Sequence, residues 1–129
     1  MTPRRVLVVD DDEAVLQTFA KALGLEGYDV RVAASPLVGL HQAQEAQPDA
    51  ILLDLQMPFV NGLGFLYRLR ANPILRHIPV AIITGDTHVD QPMMEELREL
   101  DADIRFKPVW IDEMLDLTSA LLARSPAGA

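Results

Sequence analysis

Asp10, Asp11 and Asp12 follow directly on an apolar run, Val6-Leu7-Val8-Val9. Adjacent carboxylates at the end of a buried strand repel one another and are costly to desolvate unless a cation compensates. Ile51-Leu52-Leu53 ends in another acid, Asp54, and Ala81-Ile82-Ile83 ends in a hydroxyl, Thr84. A late apolar segment runs through Arg105-Phe106 into a cation, Lys107. Asp10, Asp11 and Asp54 are hard oxygen donors, few in number, a set that suits Mg²⁺ or Mn²⁺ better than a closed calcium cage. With Lys107 as a second cation and Thr84 as a hydroxyl donor, they make up the clamp that phosphoryl transfer needs, where positioning and charge neutralisation do most of the catalysis. One carboxylate can then act as nucleophile and carry the phosphoryl group as an acyl phosphate.

These groups act together only if the chain brings them to one edge. Arg5 to Val9 is short, Val-rich and bounded by charge, which predicts a buried strand. Glu13 to Leu23 carries Val15, Leu16, Phe19, Ala22 and Leu23 at helical spacing, with Asp12 as N-cap and Gly24 and Gly27 as the stop. Tyr28 to Ala33 alternates as a strand, and Ser35-Pro36 opens a second helix that runs to about Ala46. Ala50 to Leu53 is the third strand. After the turn-rich segment Gln56 to Gly62, a short helix carries Leu63, Leu66 and Leu69 and stops at Asn72-Pro73. Val80 to Ile83 is a fourth strand, and Gln91 to about Leu100 a helix with Met93, Met94, Leu97 and Leu100 inward. Ile104 to Phe106 is a fifth strand. Ile111 to Leu122 is a last helix with Ile111, Met114, Leu115, Thr118, Leu121 and Leu122 on one side. Such alternation predicts an α/β domain: a doubly wound parallel sheet covered on both faces, with functional groups at the carboxyl ends of the strands.

At 129 residues the chain fits one domain, and half of its residues are hydrophobic, enough to build a core. Its apolar runs fall far short of a membrane span, and the N-terminus lacks the apolar core of a signal peptide. No cysteine is present, which excludes disulfides and thiolate metal sites. The net charge of −8 argues against direct nucleic-acid binding and suits a soluble protein that binds cations or docks on basic or apolar partner surfaces, while the lack of cysteine favours a cytoplasmic location. Residues 1–122 are expected to form the domain, and 123–129 a tail or linker stub.

Val-Leu-Val-Val-Asp-Asp-Asp at 6–12, Leu-Asp-Leu-Gln-Met-Pro-Phe-Val-Asn-Gly at 53–62, Ile-Ile-Thr-Gly at 82–85 and Phe-Lys-Pro at 106–108 resemble the response-regulator receiver domain of two-component signalling. The resemblance covers about Arg4 to Leu122. It implies five parallel strands in the flavodoxin-like order 2-1-3-4-5, with about five helices. Asp54 would be the phospho-acceptor, charged from a phosphohistidine on a sensor histidine kinase or a histidine phosphotransfer protein. Asp10, Asp11 and Asp54, with the backbone carbonyl of Gln56, would hold Mg²⁺. Thr84 and Lys107 would bind the phosphoryl oxygens, Lys107-Pro108 would be a cis peptide, and small Gly85 would keep the pocket accessible. The resemblance places the output on the face of the fourth helix, fifth strand and fifth helix, with homodimerisation one possible outcome. Ile104 stands where many receivers carry Tyr or Phe, Asp101-Ala102 where Gly-Ala is commoner, and Val109 where Phe is frequent. Ile104 cannot hydrogen-bond, so aromatic switching in its usual form is not expected.

Two rival classes use the same residues differently. A haloacid-dehalogenase-type phosphatase also has an Asp-x-Asp after a strand with a later Thr and Lys, but it leaves Asp54 unused and needs a further acidic pair; turnover of a phosphate ester through Asp10 would identify it. A pseudo-receiver binds partners without phosphorylation, yet commonly lacks a key acid, the threonine or the lysine, all of which are present here. A dinucleotide-binding turn would need Gly-x-Gly-x-x-Gly where this chain has acids. Asp12 is expected as a cap, Met93 and Met94 as core filling, and His41, His77 and His88 as surface residues without ligand spacing. Asp86 and Gln56 flank the site and by resemblance would tune acyl-phosphate hydrolysis. Trp110 is expected to pack partly under a loop, with a partner-binding role as the alternative.

Overall fold

The computed structural model describes residues 2–55, 62–85 and 89–124. Strand and helix alternate along the chain as β1 (Arg5–Val9), α1 (Glu13–Leu25), β2 (Asp29–Ala33), α2 (Pro36–Ala46), β3 (Ala50–Leu53), α3 (Gly62–Ala71), β4 (Val80–Thr84), α4 (Gln91–Glu99), β5 (Ala102–Phe106) and α5 (Ile111–Arg124). The strands form one parallel sheet in the order β2-β1-β3-β4-β5, the doubly wound arrangement anticipated above.

Period-two alternation divides the core between the two faces of the sheet. Leu7, Val9, Ile51, Leu53, Val80 and Ile82 pack with Ala43 of α2, Phe65, Leu66 and Leu69 of α3, and Leu97 of α4. Val6, Val8, Ala50, Leu52, Ala81 and Ile83 pack on the other side with Leu16, Phe19 and Leu23 of α1 and Met114, Leu117, Leu121 and Leu122 of α5. The three central strands are therefore apolar on both sides and serve as a rigid bed for whatever follows their last residues.

Four local features differ from the sequence expectation. Helix α1 continues through Gly24 to Leu25, because Leu16, Phe19 and Leu23 anchor its inner face. This burial outweighs the roughly 1 kcal/mol cost of a mid-helix glycine. Gly27, with φ +92°, makes the turn instead. Strand β5 begins at Ala102 rather than Ile104, since Ala102 and Asp103 pair with Val80 and Ala81. On α5 the buried side chains are Met114, Leu117, Thr118, Leu121 and Leu122, whereas Ile111 is exposed. Helix α5 also runs two residues past its expected end, to Arg124, where the guanidinium pairs with Asp101 and Asp103 at 3.2 Å each.

Candidate functional site

Backbone hydrogen bonds carry the sheet one residue past its strands and so fix the polar groups that follow. The Asp10 N–H donates to Ala33 O at 3.1 Å, the Asp54 N–H to Val9 O at 2.9 Å, and the Lys107 N–H to Thr84 O at 2.8 Å. Asp10 and Asp54 thus stand side by side beyond β1 and β3, where the strand order reverses. Thr84 is the last residue of β4, and Lys107 follows β5.

Side-chain geometry closes the cluster. Asp10 and Asp54 are only 4% and 6% exposed, and Thr84 is fully buried. Asp11 is exposed in the turn before α1. Carboxylate oxygens of Asp10, Asp11 and Asp54 lie within 4.8 Å of one another. The Lys107 ammonium reaches across from β5 to Asp10 Oδ2 at 3.1 Å and Asp54 Oδ2 at 4.0 Å. Asp10 Oδ1 also accepts the Asp12 backbone N–H at 2.9 Å. The Asp12 side chain caps α1 by accepting from the N–H groups of Ala14, at 2.9 Å, and Val15, at 3.4 Å. One tight turn therefore serves both helix initiation and the aiming of Asp10.

The donor set fits a hard divalent cation: three carboxylates, two of them nearly buried, with one ammonium nearby, leave net negative charge in a partly desolvated place. The peptide Lys107-Pro108 is cis. Among the described residues, a Cβ added at Gly85 would meet Lys107 Cδ at 3.8 Å, an ordinary contact distance. A mostly apolar groove of roughly 300 Å³ lies alongside, lined by Val15 and Phe19 of α1 with Lys107, Pro108 and Val109.

Gln56 and Asp86, expected to flank the site, lie outside the described residues, as does His88. His41 is exposed and pairs with Glu45, and His77 is exposed. Met93 packs against the core, and Met94 is half-buried. Trp110 is 68% exposed, so the expectation that it packs under a loop is corrected. Its place between Pro108 and the start of α5 lifts the indole away from the core. Sequence reasoning did not single out Gly62. A Cβ there would sit 2.5 Å from Asp54 O and 2.8 Å from Leu55 Cα, so α3 can begin against the Asp54 backbone only with glycine. Its place at the end of the 53–62 motif was the available signal.

The model of the response regulator receiver domain matches residues 6–119. The chain is 36% identical over 128 residues to the transcriptional regulatory protein PrrA of Mycobacterium leprae, covering 97% of this chain and 52% of that protein. It thus spans about half the length of the curated relatives it matches. Among solved structures it resembles the Vibrio cholerae chemotaxis protein CheY4, with TM-score 0.85 and 27% identity over 94% of this chain and all of that one. It also resembles a putative response regulator from Chloroflexus aurantiacus, with TM-score 0.83 and 30% identity over 95% of this chain and 99% of that one. Sheet order, the acid cluster at the strand ends and these likenesses agree: the chain belongs to the response-regulator receiver family, the signalling module of two-component systems.

Proposed function

We propose that Asp54 is the residue that accepts a phosphoryl group from a phosphohistidine on a sensor histidine kinase or a histidine phosphotransfer protein. An Asp54 oxygen attacks phosphorus, a P–O bond forms, and the P–N bond to the imidazole breaks with its electron pair leaving on the ring nitrogen. The product is an acyl phosphate. The observation that supports this reading is the gathering of three carboxylates within 4.8 Å, with the Lys107 ammonium 3.1 and 4.0 Å from two of them, at the switch point of the sheet.

Each side chain has a distinct part. The ladder bond to Val9 O and the close approach of Gly62 hold Asp54 in place for in-line attack. Asp10, Asp11 and Asp54, with the Gln56 carbonyl, are the residues to hold Mg²⁺ or Mn²⁺. A bound ion would offset the clustered negative charge and supply Lewis-acid stabilisation to the transferred group. Lys107 neutralises charge on the transferred group, and the Thr84 hydroxyl donates to it. The apolar groove beside Lys107 gives a protein donor non-polar footing next to the acceptor.

Phosphorylation then biases the surface of α4, β5 and α5, so that the output is association with another protein or with a second copy. Because Asp54 itself carries the group, the chain is consumed stoichiometrically and is not a turnover enzyme on an external substrate. Residues 1–122 form the receiver unit in this reading, a proposal supported by the family match over 6–119. The reading further places the protein in the cytoplasm, with no membrane and no direct nucleic-acid contact by this domain. Among the described residues no helix is long and apolar enough to cross a membrane. Asp54→Asn is expected to abolish phosphate incorporation from acetyl phosphate in the presence of Mg²⁺. Stoichiometric labelling retained in that variant would contradict the assignment.

A further inference from the structure

Helix α4 is attached to the molecule by unusually little apolar surface. Of its nine residues only Leu97 is buried, with Met93 and the capping Leu100 partly covering the core. Ile104, packed against the same cluster, offers α4 no polar side-chain partner. Two residues of α3 supply polar contacts instead. The Tyr67 hydroxyl donates to Glu96. One turn on, the half-buried Arg70 guanidinium donates to Leu100 O at 2.7 Å and Asp101 O at 3.3 Å, at the end of α4. The same group donates to Arg76 O at 2.8 Å and Ile78 O at 2.7 Å in the segment entering β4. Tyr67 and Arg70 are spaced i, i+3 and Glu96 and Leu100 i, i+4, so each pair lies on one face of its helix.

The other end of α3 stands on the acceptor segment. The Gly62 N–H donates to Leu55 O at 3.0 Å, and the helix starts too close to Asp54 O for any Cβ to fit. One ten-residue helix therefore touches the Asp54 backbone at its start and grips α4 near its end.

We propose that Tyr67 and Arg70 are positioning residues for α4, Arg70 acting as a fixed pivot at its C-terminal end and Tyr67–Glu96 as a releasable clasp. The inference rests on the reading of Asp54 as acceptor and of α4 as part of the output surface. The division of labour follows from the contacts. Arg70 makes four charge-assisted bonds to carbonyls in a half-buried place, and losing it would strand several of them. Tyr67 makes one bond at a wet surface, where water replaces a lost partner readily. Release at Tyr67 lets the Asp90 end of α4, which follows the segment after Thr84, swing about Leu100.

Amide hydrogen exchange on the full chain with Mg²⁺ and no phosphoryl donor tests the clasp directly. Tyr67→Phe is expected to speed exchange of the α4 amides at 93–99 about fivefold, the factor for one net hydrogen bond, and to leave β1, β3 and β4 unchanged. Glu96→Ala should do the same, and the double variant should go no further than either single one. Wild-type exchange in α4, a uniform rise through the core, or multiplicative effects in the double variant would overturn the clasp. Beryllofluoride, a phosphoryl mimic, should bind Tyr67→Phe severalfold more tightly than wild type, because the clasp no longer opposes the shift. Unchanged or weaker binding would overturn its regulatory role. If beryllofluoride bound neither protein, the Asp54 reading would fall while the exchange result still decided the clasp.

Discussion

The Lys107 ammonium is 3.1 Å from Asp10 Oδ2 and 4.0 Å from Asp54 Oδ2, so its charge and a bound divalent ion compensate the same carboxylates. Lys107→Met should therefore gain more melting temperature from millimolar-scale Mg²⁺ than the wild type gains, while its labelling by acetyl phosphate slows. An equal or smaller gain, measured by thermal scans with and without Mg²⁺, would contradict that linkage. Tyr67 offers a different titration. Its bond to Glu96, then desolvation, then the charges of Glu96 and Glu99 push the phenol above the usual tyrosine value. The neutral phenol is the form the fold favours, so the contribution of the clasp is intact below the unfolded-state value. It is lost as pH rises through the higher folded-state value. An ultraviolet absorbance titration should show an alkaline phase above the ordinary tyrosine range that Tyr67→Phe removes; if the phase that Tyr67→Phe removes lay at or below that range, the contact would be contradicted. The acids, Thr84 and Lys107 were legible in the sequence because each interrupts or ends an apolar run. Tyr67 and Arg70 were not. On a helix they look like solvent-facing residues, and their partners are a glutamate and four carbonyls that only the tertiary fold brings near.

Among the elements, α3 bears most directly on the site, because its first residue touches the acceptor backbone. Gly62→Ala would place a methyl group 2.5 Å from Asp54 O and 2.8 Å from Leu55 Cα, and backbone cannot yield as a side-chain tip does. Denaturant unfolding should show a loss of about 1–3 kcal/mol, and acetyl phosphate labelling should fall even in the fraction that remains folded. Wild-type labelling in a folded Gly62→Ala protein would show that α3 does not set the position of Asp54. Element order and type were legible from hydrophobic period, since short runs of four or five residues built on Val, Ile, Leu and Ala alternate with amphipathic segments. Boundaries were less so. The glycine at 24 suggested a helix stop, but Leu23 in the core holds the helix together past it. Strand β5 starts at Ala102 because β4 offers a ladder to pair with, a tertiary fact that outweighs the poor strand propensity of Asp103.

At the scale of the molecule, two apolar layers clamp one sheet, and Asp10, Asp11, Asp54 and Lys107 gather at its carboxyl edge. Phe65, fully buried where α3 meets the sheet, also contacts the space beside Gly39, so it joins α2, α3 and β1. Phe65→Ala should lose about 3–5 kcal/mol in denaturant unfolding; a loss under 1 kcal/mol would mean that this layer is not the shared core described here. The sheet order was legible through resemblance of the motifs, and the strand-end chemistry through residue types alone. The attachment of α4 was not, because its sequence shows helical periodicity but not how little of that face finds a core. The most direct test of the whole account locates the phosphoryl group itself: protein charged with acetyl phosphate and Mg²⁺ is reduced with borohydride, which converts an acyl phosphate to an alcohol, and then mapped by peptide mass spectrometry. Conversion at Asp54 alone is the expected result. Conversion at Asp10 or Asp11, or at no carboxylate, would contradict it.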